Sequence, residues 1–302
     1  MLPGWVACVP QGRQAQFACV QSRDEDRPLV QWVASEDWTW PTRTLRQVGH
    51  RHALARHRRV LMLSPTQYRL ATLDVPNDLP RPDWPQAMRW QMKDLVDFPV
   101  DDAAIDVLAV PDGASYRARS QLIAVAAGAQ LLRPQVEAAH QVKLQWTAID
   151  IEETALRNLC ALAAPPERSQ ALLHVQATHA TLVVTFRGEL LWSRQIDLTL
   201  GHLGQSDDAP RQQALDQAGL ELQRSLDGIE RSFGQVALAG LLITPMPEQQ
   251  LLCEHLRPLL YVPVTPYEPT RHLDLTGLPG LARDPLMLNR MLCAIGAALR
   301  SD

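Results

Sequence analysis

The order of the predicted elements repeats in the two halves of the chain, and this repetition limits the fold more than any other feature. Near the N-terminus, two short apolar runs at 5–9 and 15–20 flank the turn Gln11-Gly12 and predict a pair of strands. The second half opens in the same way, with a predicted strand at 171–175 and a predicted hairpin over 181–196. Helices and further strands follow each opening. Because such elements bury their apolar faces in layers, the sequence predicts two similar α/β lobes with a cleft between them.

A break in the pattern marks the expected boundary between the lobes. The run Ala163-Ala164-Pro165-Pro166 follows a predicted helix over 152–162. Proline cannot continue a helix, and it disfavours helical backbone at the residue before it. We therefore expect a first lobe over 1–166 and a second lobe over 167–302, which suits the 302 residues of the chain.

Apolar residues at helical spacing predict the main helices. One helix opens at Asp83 and Pro85 and carries a stripe in steps of four, four and three: Trp84, Met88, Met92 and Leu95. A long helix in the second half carries a stripe in steps of three or four: Leu215, Ala218, Leu222, Leu226, Ile229 and Phe233. The same reasoning predicts a helix over 134–142, a strand over 144–149 and a strand over 236–239.

Composition excludes several classes of protein. The formal net charge of −4 argues against a nucleic-acid binder that depends on an overall positive field. The five cysteines are odd in number and form no Cys-x-x-Cys pair, so a disulfide framework and a metal finger both lack support. The longest apolar stretches, near 122–127 and 236–243, are far shorter than the roughly 20 residues that a membrane span needs. With no signal peptide visible, we expect a soluble cytoplasmic protein without direct membrane insertion.

Three local clusters have more than one interpretation. His50, His52 and His57 could form a metal or nucleic-acid patch, but the basic C-terminal end of a helix explains them more simply. The acidic group Asp150, Glu152 and Glu153 could perform acid–base chemistry, although a helix N-cap followed by first-turn carboxylates accounts for it. The tryptophans Trp32, Trp38 and Trp40 could form an exposed contact surface or pack in the core. No Gly-x-Ser-x-Gly, His-Glu-x-x-His or Walker A motif occurs.

Four segments, in chain order, resemble the PilM family of actin-like cytoplasmic proteins of type IV pilus assembly. They are a tryptophan-containing helix leading into a Phe-Pro turn (Ala87–Val110), a strand–helix–strand with an Asp-x-Glu continuation (Val125–Leu156), the LELQRSLDGIERSF helix (Leu220–Phe233) and a C-terminal AIGAALR helix (Leu278–Arg300). The sequence is most similar to MshI, the divergent relative from mannose-sensitive haemagglutinin (MSHA) pili. The resemblance implies a two-lobed actin/FtsA-like fold of the ribonuclease H-like class, with a subdomain inserted into the first lobe at about 68–146.

The resemblance also implies a nucleotide site, and this sequence departs from its pattern. Actin-like ATPases hold phosphates with two hairpin loops of the form Asp-x-Gly, whose carboxylates organise a hydrated Mg²⁺. In the first loop, Pro10 replaces the Asp, Gly12 remains, and Arg13 replaces a small residue. In the second loop, His174 replaces the Asp and Gln176 replaces the Gly.

The adenosine side of the site departs from the pattern as well. The usual Gly-Gly pair after a strand is Gly240-Leu241 here, and Leu241 would place a side chain where the nucleotide needs open backbone. The residues left to a degenerate site are Gly12, Arg13, Thr178 and Gly240. Arg13 or His179 could act as new phosphate ligands, but drift after loss of catalysis explains all these changes together. We expect no cofactor and no enzymatic activity; binding of ATP without hydrolysis stays possible but disfavoured.

The partner that the resemblance implies is a PilN-like inner-membrane protein, alongside other pilus assembly subunits. In the PilM family, a cleft between the first lobe and its inserted subdomain grips a short N-terminal peptide of that protein. The matching positions here are Trp90, Phe98 and Pro99, and for Trp90 a place in the core is favoured. The protein would then be peripheral to the inner membrane through this partner.

Two alternatives remain. The first is an active ATPase or phosphotransferase on the same fold, which carboxylates in the two loops would favour and which Pro10 and His174 disfavour. The second is the cytoplasmic module of a GspL-like protein of type II secretion. That module is followed by a membrane span, and the sequence ends at Asp302 without one.

Overall fold

The computed structural model describes residues 4–23, 27–75, 79–111, 113–114 and 121–301. The N-terminal residues 1–3, considered above for a signal peptide, lie outside the described residues. Three β-sheets and ten α-helices, labelled in chain order, make up this part of the chain. Its helices include none that is long and apolar enough to cross a membrane.

The first lobe is built on a five-stranded sheet of order β3-β2-β1-β4-β8. Its strands are β1 (Trp5–Gln11), β2 (Gln14–Gln21), β3 (Leu29–Asp37), β4 (Arg58–Met62) and β8 (Ala148–Asp150). Strand β1 pairs antiparallel with β2 and parallel with β4, so the predicted N-terminal hairpin forms the middle of the sheet. Both faces of β1 are buried because apolar side chains alternate onto helices on either side.

Three helices belong to this lobe in chain order: α1 (Pro41–His52), α3 (Ala129–His140) and α4 (Glu152–Ala163). Helix α3 starts five residues before the predicted 134–142 and has Pro134 inside it. The sequence predicts a start at the proline because proline is favoured in the first turn of a helix. The strand predicted over 144–149 is the shorter β8, because pairing with β4 begins only at Ala148. Helix α3 packs on α1 through Ala138 and Ala139.

A small subdomain emerges from the first lobe. It contains a three-stranded antiparallel sheet of order β5-β7-β6, formed by β5 (Arg69–Asp74), β6 (Ala103–Ala109) and β7 (Gln121–Gly128). Helix α2 (Trp84–Met92) covers this sheet with the predicted stripe Trp84, Met88 and Met92, which is buried. The helix ends before Leu95, which is exposed. The sequence does not predict β5, whose burial pattern is irregular because it is an edge strand.

The second lobe repeats the five-stranded plan with the order β11-β10-β9-β12-β13. Its strands are β9 (Ser169–Val175), β10 (Ala180–Phe186), β11 (Glu189–Ile196), β12 (Leu238–Ile243) and β13 (Val264–Pro266). Its helices are α5 (Leu200–Leu203), α6 (Asp208–Phe233), α7 (Gln249–Leu256), α8 (Pro269–His272) and α9 (Pro279–Arg283). The predicted stripe of α6 is buried at every position.

Two helices cross between the lobes. Helix α4, which ends just before the Pro165-Pro166 break, packs against β9, β10 and β11 of the second sheet. Helix α10 (Pro285–Ala298), the last of the chain, packs against β1 and β2 of the first sheet and against α4. The lobes are therefore tied together by an exchange of helices and not only by the connection at 163–166.

A glycine allows the closest contact between these two helices. A Cβ atom added at Gly296 of α10 would lie 2.3 Å from the carbonyl oxygen of Ala155 in α4. Asn158 of α4 also donates its side-chain amide to the Gly296 carbonyl at 2.9 Å. No side chain larger than hydrogen fits at position 296 without a shift of the backbone.

Gly296→Ala should destabilise the protein. The extra methyl group forces α10 away from α4, and overpacking of this kind costs typically about 1–3 kcal/mol. Gly228→Ala in α6 is the matched control, because nothing lies within 4 Å of an added Cβ there. That change should leave stability equal or about 0.4–1 kcal/mol higher. Urea unfolding of both variants measures the difference; equal stabilities would mean that the α4–α10 contact is loose.

Candidate functional site

The structure brings the two predicted hairpin loops together across the interlobe cleft. The first loop is the β1–β2 turn, where Gly12 has a φ of 61°. The second is the β9–β10 turn, closed by a hydrogen bond from the Gln176 amide to the His179 carbonyl at 2.8 Å. The Gln11 side-chain amide donates to Oε1 of Gln176 at 3.0 Å. Two long amide side chains therefore meet between the loops, and Gln176 does so at a position where the actin-like pattern has glycine.

The other predicted nucleotide-loop residues are divided between the loops and the sheet. Arg13 and Thr178 are exposed at the two turns, and the Thr178 hydroxyl lies 2.9 Å from Nδ1 of His179. Gly240, however, lies inside β12 and not after a strand, because the strand runs over 238–243 and not 236–239. An added Cβ at Gly240 would be 2.8 Å from the Pro263 carbonyl oxygen, so this glycine permits the close approach of β13.

His174, at the position expected for the second carboxylate, is buried at the end of β9. Its Nδ1 lies 2.9 Å from the Thr244 hydroxyl. Burial lowers the pKa of His174 to about 4, and the nearby Glu152 carboxylate raises it only in part. The ring is therefore neutral at pH 7. A neutral imidazole held by a hydroxyl cannot replace an Asp that orders hydrated Mg²⁺.

Glu152, at the start of α4, is buried and joins the first lobe to the second loop. Its Oε2 lies 3.0 Å from Nε2 of His179, and the Thr181 hydroxyl donates to its Oε1 at 2.6 Å. Burial opposes ionisation of Glu152, but the hydrogen bond and charge of His179 outweigh it and hold the pKa of Glu152 below its ordinary value. Burial also lowers the pKa of His179, but the hydrogen bond and charge of Glu152 outweigh this effect and raise it. The two form a largely buried ion pair between the lobes.

Glu153 makes the corresponding contact to the inserted subdomain. It is buried, and the Tyr68 hydroxyl donates to its Oε2. Burial raises the pKa of Glu153 to about 7, and the Tyr68 hydrogen bond lowers it only in part. Burial and the adjacent Glu153 also raise the pKa of Tyr68 well above its ordinary range. Consecutive glutamates thus connect α4 to both the second lobe and the subdomain.

These contacts correct the interpretation of the acidic cluster. Glu152 and Glu153 do lie in the first turn of α4, but the N-cap is Ile151, which makes no side-chain cap. Asp150 precedes the cap and accepts from the Ile151 amide at 3.0 Å and from the Thr154 hydroxyl. Its second oxygen pairs with Arg300 at 2.9 Å. Neither helix periodicity nor residue type reveals these distant partners. Across the described ranges, no group of three or more His, Cys, Asp or Glu side chains is placed to hold a metal ion.

The histidine and tryptophan clusters separate into packed and exposed members. His52 stacks on Trp32 with ring centroids 3.8 Å apart, and His57 Nδ1 lies 3.2 Å from the Gly4 carbonyl. His50 is exposed in the basic last turn of α1, as the helix-end interpretation expected. Trp38 is buried, whereas Trp40 is 67% exposed at the N-cap of α1.

The predicted partner residues lie on the inserted subdomain. Trp90 is 73% exposed on the solvent face of α2, so the preference for a core position was wrong. Phe98 is half-buried against the subdomain core, and its ring would lie 3.4 Å from a Cβ added at Gly128. Pro99 is exposed beside it. Since Gly128 is the last residue of β7 and α3 starts at the next residue, the Phe98-Pro99 turn borders the junction between subdomain and first lobe.

Comparison with family models and with the sequences of curated proteins gives no match. Among solved structures, one described as a PilM-PilN type IV pilus biogenesis complex superposes with a TM-score of 0.72 over 99% of both chains, at 19% identity. A protein of actin-like ATPase fold from Bacteroides thetaiotaomicron gives a TM-score of 0.54 at 11% identity, over 94% of this chain and 97% of the other. The cytoplasmic domain of EpsL, an inner membrane component of the type II secretion system of Vibrio cholerae, gives 0.54 at 11% identity, over 99% and 96%.

These likenesses establish the fold. The chain has a two-lobed actin-like fold with a subdomain inserted in the first lobe, and the two hairpin loops meet between its two five-stranded sheets.

Replacing Glu153 by glutamine tests the protonation of the buried carboxyl. The folded protein keeps the proton up to about pH 7, whereas an exposed glutamate loses it near its ordinary pKa of 4.5. The folded state therefore binds more protons between these values, and this group makes stability fall as pH rises through that range. In Glu153→Gln, the side-chain amide oxygen can still accept the hydrogen bond from Tyr68. Because the amide does not titrate, this position no longer lowers stability as the pH rises. Relative to the wild type, the free energy of unfolding of the variant should rise by on the order of 1–3 kcal/mol between about pH 5 and pH 8.

Urea unfolding at several pH values measures this gain. The titrations of His174 and His179 are common to both proteins and largely cancel in the comparison. Glu167→Gln is the matched control, since Glu167 pairs with Arg187 on the surface and should show no pH-dependent difference. Parallel stability curves for wild type and Glu153→Gln would contradict the raised pKa.

Proposed function

We propose that the protein is a cytoplasmic scaffold subunit of a type IV pilus assembly machine, and that it binds the N-terminal tail of a PilN-like inner-membrane protein. The observation that carries the proposal is the likeness to the PilM-PilN complex, with a TM-score of 0.72 over nearly the whole of both chains. Binding to this partner would hold the protein at the inner membrane, in contact with other pilus assembly subunits.

The resemblance of four segments to the PilM family, in which MshI is the most similar relative, supports an MSHA-type pilus as the specific system. Two of these segments include parts of the helix pair that joins the lobes. Val125–Leu156 includes the first turns of α4, and Leu278–Arg300 contains α10 with Gly296. The similarity therefore includes the residues on which the packing of the two lobes depends.

The subdomain surface supports binding of a peptide. A tryptophan that is 73% exposed contributes apolar area that gains free energy when it is covered, and tryptophan is enriched among residues that dominate binding. The Phe98-Pro99 turn adds apolar surface at the junction with the first lobe. An extended peptide combines backbone hydrogen bonds with a few such anchors. Because it also loses conformational entropy, we expect micromolar affinity, about −8 kcal/mol.

The interlobe cleft supports a role without catalysis. Neutral His174 and Pro10 stand where the pattern needs carboxylates, and the Gln11–Gln176 hydrogen bond occupies the space between the loops. An active ATPase or phosphotransferase would need those carboxylates for Mg²⁺. We therefore propose that the site is degenerate and that the protein has no cofactor.

The likeness to the EpsL cytoplasmic domain favours a second candidate, a module of a type II secretion machine. Its TM-score of 0.54 is lower than the 0.72 of the pilus complex. Genes for pilins and pilus assembly proteins beside the gene for this chain would support the pilus; secretion genes would support the alternative.

Mg-ATP at millimolar concentration should leave the melting temperature unchanged. A ligand at 100 times its dissociation constant would add about 2.7 kcal/mol of stability, which a thermal scan detects easily. Gln176→Ala, which removes the hydrogen bond between the loops, should also show no shift, because the missing carboxylates and not only the lack of space prevent binding. A clear shift for the wild type would refute the degenerate site, and a shift for the variant alone would mean that the glutamine blocks an otherwise competent site.

Calorimetric titration of the tail peptide of a PilN-like protein into the full chain tests the partner. Trp90→Ala should weaken binding at least tenfold without lowering the melting temperature, because Trp90 is exposed. Trp40→Ala is the matched control, an equally exposed tryptophan outside the subdomain, and should leave the affinity unchanged.

Two results would count against this proposal. No heat of binding with a folded full-length protein would refute the partner. Wild-type affinity in both Trp90→Ala and Phe98→Ala would refute the site, provided that melting shows both variants to be folded.

A further inference from the structure

A long stretch of the first lobe lacks acidic residues. From Trp38 to Leu73 the sequence holds seven arginines and three histidines but no Asp or Glu, although the whole chain has a net charge of −4. The segment 138–149 likewise has no acidic residue and contains His140 and Lys143. Positive charge is therefore concentrated in two parts of a chain that is otherwise acidic.

Helix α1 presents part of this charge to solvent. Leu45 and Val48 face the core, while Arg43, Arg46 and His50 are exposed. Their spacing of three and four residues places the three basic side chains on one face of the helix. In the described part of the chain, neither Arg43 nor Arg46 has a carboxylate within ion-pair distance, and Glu36 of β3 pairs with Arg51.

The connection from α3 to β8 runs beside α1 and extends this surface. The Thr42 hydroxyl donates to Oε1 of Gln141 at 3.1 Å. At the other end of the helix, Leu144 packs under Gly49, with its Cδ1 3.7 Å from the position of an added Cβ. Lys143 and His140, both exposed, are thereby held next to the basic side of α1.

A shallow depression of about 380 Å³ lies in this surface. It is lined by Arg59, His140, Lys143, Leu144 and Gln145, and no carboxylate is among these residues. Arg59 is fixed there because its guanidinium donates to the carbonyls of Leu54, His57 and Gln145 at 2.6–2.7 Å. We call the surface formed by Arg43, Arg46, His50, Arg59, His140 and Lys143 the basic face.

We infer that the basic face binds the headgroups of acidic phospholipids at a membrane surface. Each Lys or Arg close to an anionic leaflet contributes about 1 kcal/mol, so several weak contacts add up to measurable adsorption. Trp40, exposed at the N-cap of α1 and three residues before Arg43, supplies an aromatic side chain of the kind that favours the headgroup region. The acidic remainder of the molecule would be repelled and would orient the basic face towards the membrane.

This inference rests on the proposed function. That function favours a membrane over a nucleic acid as the ligand of the basic face. A partner anchored in the inner membrane would keep this protein at high local concentration beside the lipid surface, where weak attraction is sufficient. A nucleic-acid binder has no such help and needs a stronger overall positive field than a chain of net charge −4 provides.

Flotation of the full chain with lipid vesicles tests the inference without any partner present. Vesicles of phosphatidylcholine with about one third phosphatidylglycerol should carry the protein at low salt, and raising the salt should release it because the attraction is screened. The double variant Arg43→Glu/Arg46→Glu should lose at least tenfold in apparent vesicle affinity. The double variant Arg224→Glu/Arg231→Glu, on exposed positions of α6, is the matched control and should bind as the wild type does.

Several outcomes overturn the inference. These are equal binding to pure phosphatidylcholine vesicles, equal loss in both double variants, or no binding to anionic vesicles at low salt. Tighter binding to a DNA duplex or single-stranded RNA than to the vesicles, abolished by Arg43→Glu/Arg46→Glu, would assign the basic face to nucleic acid instead. Calorimetry with the tail peptide separates the two proposals, since Arg43→Glu/Arg46→Glu should keep wild-type peptide affinity and melting temperature whatever the vesicles show.

Discussion

The rest of the structure depends on the contact between α4 and α10. Helix α4 packs on the second sheet, although the first part of the chain supplies it, and α10 packs on the first sheet although it comes last. The two helices meet where Gly296 allows backbone to approach the Ala155 carbonyl. Because both lobes complete their cores with a helix from the other half, neither core is closed until the exchange is made. The buried glutamates at the start of α4 then fix the subdomain and the second loop relative to this pair of helices.

The two hairpin loops between the lobes combine the backbone geometry of turns with side chains that are already engaged in hydrogen bonds. Both hairpins are present, and Gly12 still has the left-handed backbone that its turn requires. Gln11 and Gln176 bond to each other between the hairpins, whereas His179 bonds to Glu152 of α4 and His174 to Thr244, which follows β12. Each bond satisfies a polar group that would otherwise be costly to bury. In this arrangement the Gln11–Gln176 and His179–Glu152 contacts link the two lobes.

Sequence periodicity predicts a helix well where a buried stripe recurs at helical spacing, as in α2 and α6. It failed where no periodicity exists. Strand β5, which is not predicted, lies at a sheet edge. The predicted strand near Gly240 starts two residues and ends four residues before β12, so the prediction places the glycine after the strand and not inside it. Trp90 was assigned to the core because large aromatic residues usually are buried, but it lies on the opposite face of α2 from Met88. The partners of Glu152 and Glu153 are distant in sequence, and no local pattern encodes them.

The exchange of helices also determines when the core of the first lobe can be completed during translation. Domains commonly fold from the N-terminus as the chain emerges. Here residues 285–298 form part of the covering of β1 and β2, so the first sheet keeps an uncovered apolar face while about 120 further residues are translated. A chaperone that shields this face, or slow release of the nascent chain, would therefore influence the yield of native protein.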